Sequence, residues 1–239
     1  MINTMISLKK LSKRFHDHWV FRNISLDVED KESVVLIGPS GSGKSILLKI
    51  IAGLLEADEG KVTLGKRNIG MLFQKNALFD SLTVEENLLF PLQERKKISG
   101  APAKEKAAWF LKEVGLKGCE NLFPDEISGG MQKRLGIARA LVVEPEIILY
   151  DEPTAGLDPI TSRTIADLIR KLRMEIGSTL LTVTNDMQRA YQIGDRIFLL
   201  AQGVLKSGGT PKEIQASLDP GIRQFIYGLK TGPLTSGLA

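Results

Sequence analysis

The sequence is poor in the residues that build disulfide frameworks and metal clusters. Among 239 residues there is one cysteine, Cys119, and there are two histidines, His16 and His18. A single cysteine excludes a disulfide framework and a cysteine-based zinc site, and it suits a reducing compartment. Two histidines exclude a histidine-rich metal cluster. These absences point away from secreted disulfide-rich proteins and from zinc proteins.

Long apolar runs are also missing. No stretch approaches the roughly 18 uninterrupted apolar residues of a membrane-spanning helix. The best candidate, Ile46–Leu55, is interrupted by Lys49. The first residues, Met1–Lys10, lack the apolar run and the small-residue cleavage site of a signal peptide. We therefore expect neither a membrane-spanning protein nor an exported one.

Neither sign of charge is in large excess. The chain has 32 Lys and Arg against 28 Asp and Glu, a formal net charge of +4, and the two signs alternate without a long basic block. This pattern does not indicate binding to nucleic acid. Hydrophobic residues make up 43% of the chain, which is ordinary for a globular protein. The length allows one large domain, or one core with a smaller lobe.

Alternating short strands and helical segments predict an α/β fold. Residues 5–37 have the pattern of short strands broken by polar turns, and Ser33–Ile37 is apolar enough for a strand buried on both faces of a parallel sheet. We interpret Gly60–Phe73 as a short hairpin with Gly65 near its turn. Residues from about 75 to 140 favour helix. The expected architecture is a parallel-sheet core with a mostly helical insertion.

A glycine-rich turn lies between the strand Ser33–Ile37 and an apolar helical stretch, Ile46–Leu54. Its glycines let backbone N–H groups turn inward around a polyanion at a helix N-terminus. Lys44 can reach β- and γ-phosphate oxygens, and the Ser45 hydroxyl can ligate Mg²⁺. We therefore predict a nucleotide-binding loop. It consists of Gly38, Pro39, Ser40, Gly41, Ser42, Gly43, Lys44 and Ser45.

Two adjacent acids, Asp151 and Glu152, end an apolar strand that begins at Ile147. A single acid at a strand end is usually a solvated turn residue, but a pair downstream of a phosphate loop favours phosphoryl-transfer chemistry. Asp151 can hold Mg²⁺ through water, and Glu152 can orient an attacking water. The predicted reaction is attack of water on the γ-phosphate of a nucleotide.

The motif Ser128-Gly129-Gly130-Met131-Gln132 resembles the signature of the ATP-binding cassette (ABC) ATPases, which runs Ser-Gly-Gly-x-Gln or a close variant. Ser-Gly-Gly alone is more often a helix cap, but its place ahead of a helix and of the acidic strand favours the family motif. The resemblance implies a P-loop NTPase parallel-sheet core with an N-terminal antiparallel β-lobe and a helical insertion. It also implies that one chain cannot complete its own site, because the signature faces the ATP of a second subunit. The residues concerned are Ser128, Gly129, Gly130 and Gln132.

The resemblance extends over about Ser7–Gly209 and implies roles for further residues. Phe15 matches the aromatic that stacks on adenine, although an aromatic in an early strand can also pack in a core. Gln74 matches the glutamine that contacts Mg²⁺ and the attacking water. Asp158 lies in the loop that communicates between the two sites of the dimer. The implied cofactors are ATP and Mg²⁺, and the implied metal ligands are Ser45, Gln74 and, through water, Asp151.

One position departs from the family pattern. After the buried strand Leu180–Thr184 the family usually has a histidine that contacts the γ-phosphate, and this chain has Asn185. Asn185 can donate a hydrogen bond, but it carries no positive charge and cannot shuttle a proton. One interpretation is slowed hydrolysis with intact ATP binding; the other is useful turnover carried by Glu152 and Lys44. We expect retained but slow hydrolysis, because phosphoryl transfer depends mainly on positioning and electrostatics.

Two stretches are similar to the ATPases of phospholipid-trafficking systems that work with lipid-binding Mce proteins. In the family, Ala77–Leu92 lines the groove that receives a short helix of the membrane subunit; Thr83 and Glu86 also form a capping box there.

The tail segment Asp219–Leu229 has one apolar face at helical spacing, which either docks on the chain's own core or crosses to a partner subunit or accessory protein. We expect an ABC ATPase domain at 1–218, including a helical insertion at about 75–140, and a C-terminal extension at 219–239.

The resemblance as a whole implies the cytoplasmic ATPase subunit of an ABC transporter, peripheral on the cytoplasmic face of the inner membrane. Two copies form a homodimer over ATP and Mg²⁺ and act on separate permease subunits, with an accessory subunit and an Mce-type lipid-binding protein as further partners. The expected cargo is phospholipid moved between bacterial membranes. The alternatives are the ATPase of a small-solute importer and an ATP-dependent switch without transport. ABC ATPases that act on ribosomes or DNA resemble tandem cassettes or carry long coiled-coil insertions, and neither fits in this chain.

Overall fold

The computed structural model describes residues 3–65, 68–74 and 77–235. They fall into two compact units, Met1–Arg67 with Thr179–Ala239, and Asn68–Ser178. The strands are β1 (Thr4–Phe15), β2 (His18–Glu29), β3 (Ser33–Ile37), β4 (Glu59–Leu64), β5 (Ile69–Leu72), β6 (Ile147–Asp151), β7 (Thr179–Thr184), β8 (Arg196–Ala201) and β9 (Val204–Gly209). The helices are α1 (Lys44–Ile51), α2 (Val84–Pro91), α3 (Gly100–Glu113), α4 (Gly129–Leu141), α5 (Pro159–Ile176), α6 (Met187–Ile193), α7 (Pro211–Gln215) and α8 (Pro220–Tyr227).

The first unit contains an antiparallel sheet in the order β2-β1-β4. Side chains of β2 alternate between buried and exposed over its second half, where Ile24, Leu26 and Val28 face the core. This period-two pattern is what one buried sheet face requires. The N-terminal antiparallel β-lobe is therefore confirmed.

The same unit contains a second sheet in which β3 is parallel to both β7 and β8, and β9 is antiparallel to β8. Every residue of β3 and of β7 is buried, as expected for strands covered on both faces. Ile37 pairs with Thr184, so the carboxyl ends of β3 and β7 lie at one edge. That edge carries the glycine-rich loop and Asn185.

The second unit combines a parallel strand pair, β5 and β6, with helices α2 to α5. Helix α2 begins at a capping box in which Thr83 accepts from the amide of Glu86 and the Glu86 side chain accepts from the amide of Thr83, so this part of the sequence interpretation is confirmed. Helices α2, α3 and α4 confirm the predicted helical segment. Among the described residues, no helix is both long and apolar enough to cross a membrane.

The hairpin expected across Gly60–Phe73 is wrong. Strand β4 pairs with β1, whereas β5 pairs with β6, so the two consecutive strands belong to different sheets. Alternation of apolar residues marks a strand but does not choose its partner. At Gly70 in β5 a Cβ would lie 2.4 Å from the Ala140 carbonyl oxygen of α4, so this strand lies directly against that helix.

The C-terminal segment packs within the first unit. Asp219 caps α8 by accepting from the Ile222 amide at 2.8 Å, and the Lys206 ammonium donates to Asp219 at 2.9 Å. Buried Gln224 accepts from the amide of Leu234 at 2.7 Å. Of the apolar face predicted from the sequence, Ile222 is buried and Leu229 is exposed. Residues 236–239 lie outside the described residues.

Candidate active site

The glycine-rich loop runs from the end of β3 to the start of α1. A Cβ at Gly38 would lie 2.1 Å from the Leu200 carbonyl oxygen, so the backbone approaches β8 too closely for any other residue. Gly43 has φ +95°, and a Cβ there would lie 2.6 Å from Val20 Cγ1. Gly38 and Gly43 are therefore required by the fold itself.

Lys44 points back along the loop and is 7% exposed. Its Nζ donates to the carbonyl oxygens of Gly38 at 2.7 Å and Pro39 at 2.9 Å. The Lys44 side chain thus connects the end of the loop to its first two residues. A cation held beside loop backbone groups suits an anionic ligand, and the contact of Lys44 with phosphate oxygens stays a prediction.

Other features of the loop fit a phosphate chain. The Ser42 Oγ is buried and has no hydrogen-bond partner among the described residues, and such an orphaned hydroxyl has donor capacity to spare. Gly41 has φ +80° and open space where a Cβ would be. The first turn of α1 contains no acidic residue, so its positive dipole end is not offset. Ser45 lies in that turn and is half-buried.

Asn185 follows β7 and is exposed. The residues around it form a capped turn, in which Thr184 Oγ1 accepts from the Asp186 amide at 3.1 Å and Asp186 accepts from the Arg189 amide at 3.1 Å. The turn fixes the backbone at Asn185 close to the end of β3, because Thr184 pairs with Ile37. The structure therefore places Asn185 at the sheet edge from which the glycine-rich loop emerges.

Phe15 ends β1 and its side chain is 45% exposed, so it is not a core residue. The Lys13 ammonium lies 5.2 Å from the centre of the Phe15 ring, and it also pairs with Asp58 at 3.1 Å. An exposed ring of this kind is available for stacking. The alternative that Phe15 packs in the core is not what the structure shows.

In the second unit, Asp151 and Glu152 lie at the carboxyl end of β6 and are 4% and 9% exposed. Glu152 has φ +49°, a left-handed conformation that is uncommon for a residue with a side chain. Such backbone strain costs about 1–3 kcal/mol and is concentrated at functional sites. The acidic pair is therefore buried at a strand end and held in an unusual conformation.

Gln74 lies two residues after β5, which pairs with β6 in parallel. Its side chain is exposed, and its backbone carbonyl oxygen accepts a hydrogen bond from Lys133 Nζ at 2.7 Å. Since β5 and β6 are adjacent, Gln74 and Asp151 follow neighbouring strands at one edge. Lys133 was given no role from the sequence. Its position four residues before buried Ile137 in α4 is the signal that was available, because a charged side chain on the apolar face of a helix is unusual.

The signature residues begin α4. Ser128 caps the helix by accepting from the Met131 amide at 3.3 Å, and Ser128 and Gly129 are exposed. The Gln132 side chain instead turns inward and donates to the Pro124 carbonyl oxygen at 2.7 Å. The exposed part of the motif is therefore its Ser-Gly end, whereas Gln132 holds the preceding loop.

Asp158 caps α5, where its carboxylate accepts from the amides of Ile160 at 2.9 Å and Thr161 at 3.0 Å. Hydrogen bonds from Thr161, its side chain first, hold the pKa of Asp158 below its ordinary value. Thr161 also lies beside the signature, because a Cβ at Gly130 would be 3.2 Å from Thr161 Cγ2. The structure brings these two motifs together at the N-termini of α4 and α5.

A groove of about 210 Å³ lies in the second unit between β5, α2 and α4. The Phe79 and Phe90 rings meet edge to face with their centres 4.8 Å apart, and the Arg139 guanidinium lies 4.4 Å from the Phe79 ring centre. Asn87 is fully buried and ties down the preceding loop, accepting from the Phe79 amide at 2.9 Å and donating to the Phe79 carbonyl at 3.1 Å. Phe90 of α2 and Arg139 of α4 line the groove, and Phe79 on the anchored loop contacts both of these side chains.

Comparison with known proteins finds a matching family and similar proteins. The family described as "ABC transporter" matches residues 21–155. The chain is 40% identical to the protein TRIGALACTOSYLDIACYLGLYCEROL 3 of Arabidopsis thaliana over 97% of this chain and 76% of that protein. It is 33% identical to the intermembrane phospholipid transport system ATP-binding protein MlaF of Escherichia coli over 98% of this chain and 92% of that protein.

A relative that is named for a different cargo is similar to the same degree. A sulfate/thiosulfate import ATP-binding protein, CysA of Synechocystis, is 37% identical over 98% of this chain and 68% of its own length. Among solved structures, the dimeric ATP-binding cassette MJ0796 bound to ADP and Pi has a TM-score of 0.79 and 35% identity, covering 87% of this chain and 99% of that one. The sequence relatives match nearly the whole chain.

Proposed function

The chain belongs to the ABC transporter family, and from this premise we propose that it powers the movement of phospholipid between bacterial membranes. It is an ATPase subunit of an ABC transporter, with the α/β fold of an ATP-binding cassette. The observation that carries the ATPase assignment is the loop 38–45, where a buried lysine and an orphaned hydroxyl fit a polyanion. The coverage of MlaF, 92% of its length, supports the lipid assignment.

We propose that the loop 38–45 binds the phosphates of ATP, that Phe15 stacks on adenine, and that Ser45, Gln74 and, through water, Asp151 hold Mg²⁺. Bound Mg²⁺ neutralises developing charge on the phosphate oxygens. Glu152 accepts a proton from the attacking water and orients it. Gln74 and Asn185 orient the same water and the γ-phosphate by hydrogen bonds.

We propose further that the chain works as a homodimer closed by ATP, with Ser128, Gly129 and Gly130 of each copy facing the ATP of the other. The dimeric MJ0796 cassette supports this arrangement. Exposure of Ser128 and Gly129 at the start of α4 leaves their hydroxyl and N–H groups available to an anion. Gln132 stabilises the loop before the motif through its hydrogen bond to Pro124. Asp158 lies in the loop proposed to couple the two ATP sites of the dimer.

The membrane partner is proposed to dock in the groove beside Phe79, Phe90 and Arg139. The groove combines apolar side chains with the charged Glu94, Arg95 and Arg139, a lining suited to one face of a short amphipathic helix of a separate permease subunit. The chain would then be cytoplasmic and peripheral on the inner membrane, with an accessory subunit and an Mce-type lipid-binding protein in the same complex. Residues 1–218 form the ATPase domain, with a helical insertion at about 75–140, and residues 219–239 form an extension whose exposed Tyr227 and Leu229 favour a partner contact.

The lipid assignment is tested with the native complex. The chain, purified from its own membranes together with its permease subunits, is reconstituted into vesicles containing a fluorescent phospholipid. We expect transfer of the label that requires ATP and Mg²⁺, and ATP hydrolysis that rises with phospholipid content. Uptake of sulfate by the same vesicles, without lipid transfer, would contradict the lipid assignment and support a small-solute importer instead.

Asn185 is expected to limit hydrolysis. Asn185→His restores a group that can carry charge next to the γ-phosphate, so turnover should rise several-fold while the ATP concentration at half-maximal rate changes little. The measurement is steady-state phosphate release by both proteins. An unchanged rate shows that Asn185 is not limiting. Absence of ATP cleavage by the wild-type chain in a single-turnover assay would instead favour the switch without transport.

A further inference from the structure

A buried lysine lies at the centre of the second unit. Lys133, one residue beyond the signature in α4, is 4% exposed, and its Nζ donates to the Gln74 carbonyl oxygen at 2.7 Å. Lysine is almost never buried in this way unless it is paired. The two residues are 59 positions apart in sequence, so the bond joins the helix that carries the signature to the segment that follows β5.

The acidic pair provides the charge that this lysine needs. Burial lowers the pKa of Lys133 below its ordinary value, and the carboxylates of Asp151 and Glu152 act on it in the opposite direction. A cation taken out of water is stable only with opposite charge nearby and a hydrogen-bond acceptor in reach. Lys133 has both, from the three residues proposed above for metal binding and hydrolysis.

Two consequences follow from this arrangement. The hydrogen bond from Lys133 to the backbone carbonyl oxygen of Gln74 fixes the main chain at Gln74. The fixed main chain in turn limits where the exposed Gln74 side chain can lie. The ammonium also adds positive charge to the neighbourhood of Asp151, where it opposes the binding of another cation. One side chain therefore affects both the position of Gln74 and the electrostatic potential at the acidic pair.

We propose that Lys133 is a positioning residue for hydrolysis: it holds the Gln74 backbone beside Asp151 and Glu152 and links these groups to the signature helix. It does not contact ATP itself and acts through Gln74 and the acidic pair. The inference rests on the roles proposed above for Gln74, Asp151 and Glu152. A purely structural role would affect folding stability alone, so the two interpretations differ in what a neutral substitution changes.

The test compares Lys133→Met, Lys133→Arg and the exposed-lysine control Lys112→Met. The readouts are kcat, KM for ATP, resistance to urea, and the Mg²⁺ concentration that gives half-maximal binding of a fluorescent ATP analogue. For Lys133→Met we expect kcat to fall about 10- to 100-fold, the range for loss of a charge-assisted hydrogen bond. KM should stay within about twofold, and half-maximal binding should need less Mg²⁺ because a repelling charge is gone. Lys133→Arg should recover most of kcat.

The contrary results are equally specific. A folded Lys133→Met protein with wild-type kcat, or one whose kcat loss is not recovered by arginine, overturns the proposal. If the methionine variant does not fold, Lys133→Gln is judged by the same readouts. The Glu152→Gln variant separates this proposal from the site assignment: if Glu152→Gln still hydrolyses ATP at the wild-type rate, the assignment of the acidic pair is wrong. If Glu152→Gln is inactive and Lys133→Met is normal, only the role of Lys133 is wrong.

Discussion

Replacing Glu152 by glutamine should reduce ATP turnover by about 10²–10⁴-fold, the contribution typical of a positioned general base. Glutamine has nearly the same shape and can still hydrogen-bond water, but it cannot accept the proton. ATP binding should persist, because the loop 38–45 and its lysine are untouched. Because binding continues while hydrolysis stops, a dimer held by ATP should accumulate. Phosphate release and size-exclusion chromatography with ATP measure the two effects.

The matched control for this prediction is Glu105→Gln. Glu105 is an exposed carboxylate on α3 of the same unit, so its substitution makes the same change of charge away from the acidic pair. It should leave turnover within about twofold of wild type, since exposed substitutions usually change little. If Glu152→Gln behaves like this control, Glu152 is not the base and the acidic pair has another role.

The second large effect is expected for Lys44→Met. Loss of the ammonium removes the cation proposed to contact the phosphates. It also removes the Lys44 donor from the carbonyl oxygens of Gly38 and Pro39, of which Pro39 keeps the Ser42 amide. Hydrogen bonds to charged groups contribute about 1.5–3 kcal/mol. ATP affinity should therefore fall roughly 10- to 100-fold. Turnover should fall further, because the same charge stabilises the transition state.

Lys49→Met is the control for this substitution, because Lys49 lies in the same helix but is exposed. It should bind ATP like wild type. Binding of a fluorescent ATP analogue gives the affinities, and urea unfolding shows whether Lys44→Met remains folded. Equal affinities of the two folded variants for the ATP analogue would mean that Lys44 does not bind the phosphates.

Several features of the candidate site could be predicted because their signals are local. The glycine spacing of 38–45, the buried strand before it and the apolar helix after it occupy contiguous sequence. The strand has the expected bounds, Ser33–Ile37, and the helix begins two residues earlier and ends three residues earlier than the expected Ile46–Leu54, at Lys44–Ile51. The capping box at Thr83 and Glu86 was likewise predictable, since it depends on two residues three positions apart. The sequence identifies Glu152 as a candidate catalytic carboxylate, but it does not predict the left-handed backbone conformation of this residue.

Other features depend on residues that are distant along the chain. The pairing of β4 with β1 and of β5 with β6 overturned the expected hairpin, because strand patterns do not specify partners. Gln132 was assigned with the signature from its position, yet it donates to Pro124 on the preceding loop. The packing of Ile222 and Gln224 in the C-terminal segment is likewise seen only in the structure, and contact of this segment with a partner subunit stays a prediction.

The sequence by itself was enough to indicate the family, because the phosphate loop, the acidic pair and the signature are short motifs of contiguous residues. The tertiary structure alone decided which side chains support them. Lys133 and Gln74 meet across 59 residues, and Thr161 meets Gly130. A buried charge must find its partner wherever the fold brings one within hydrogen-bonding distance, and no local pattern encodes that distance.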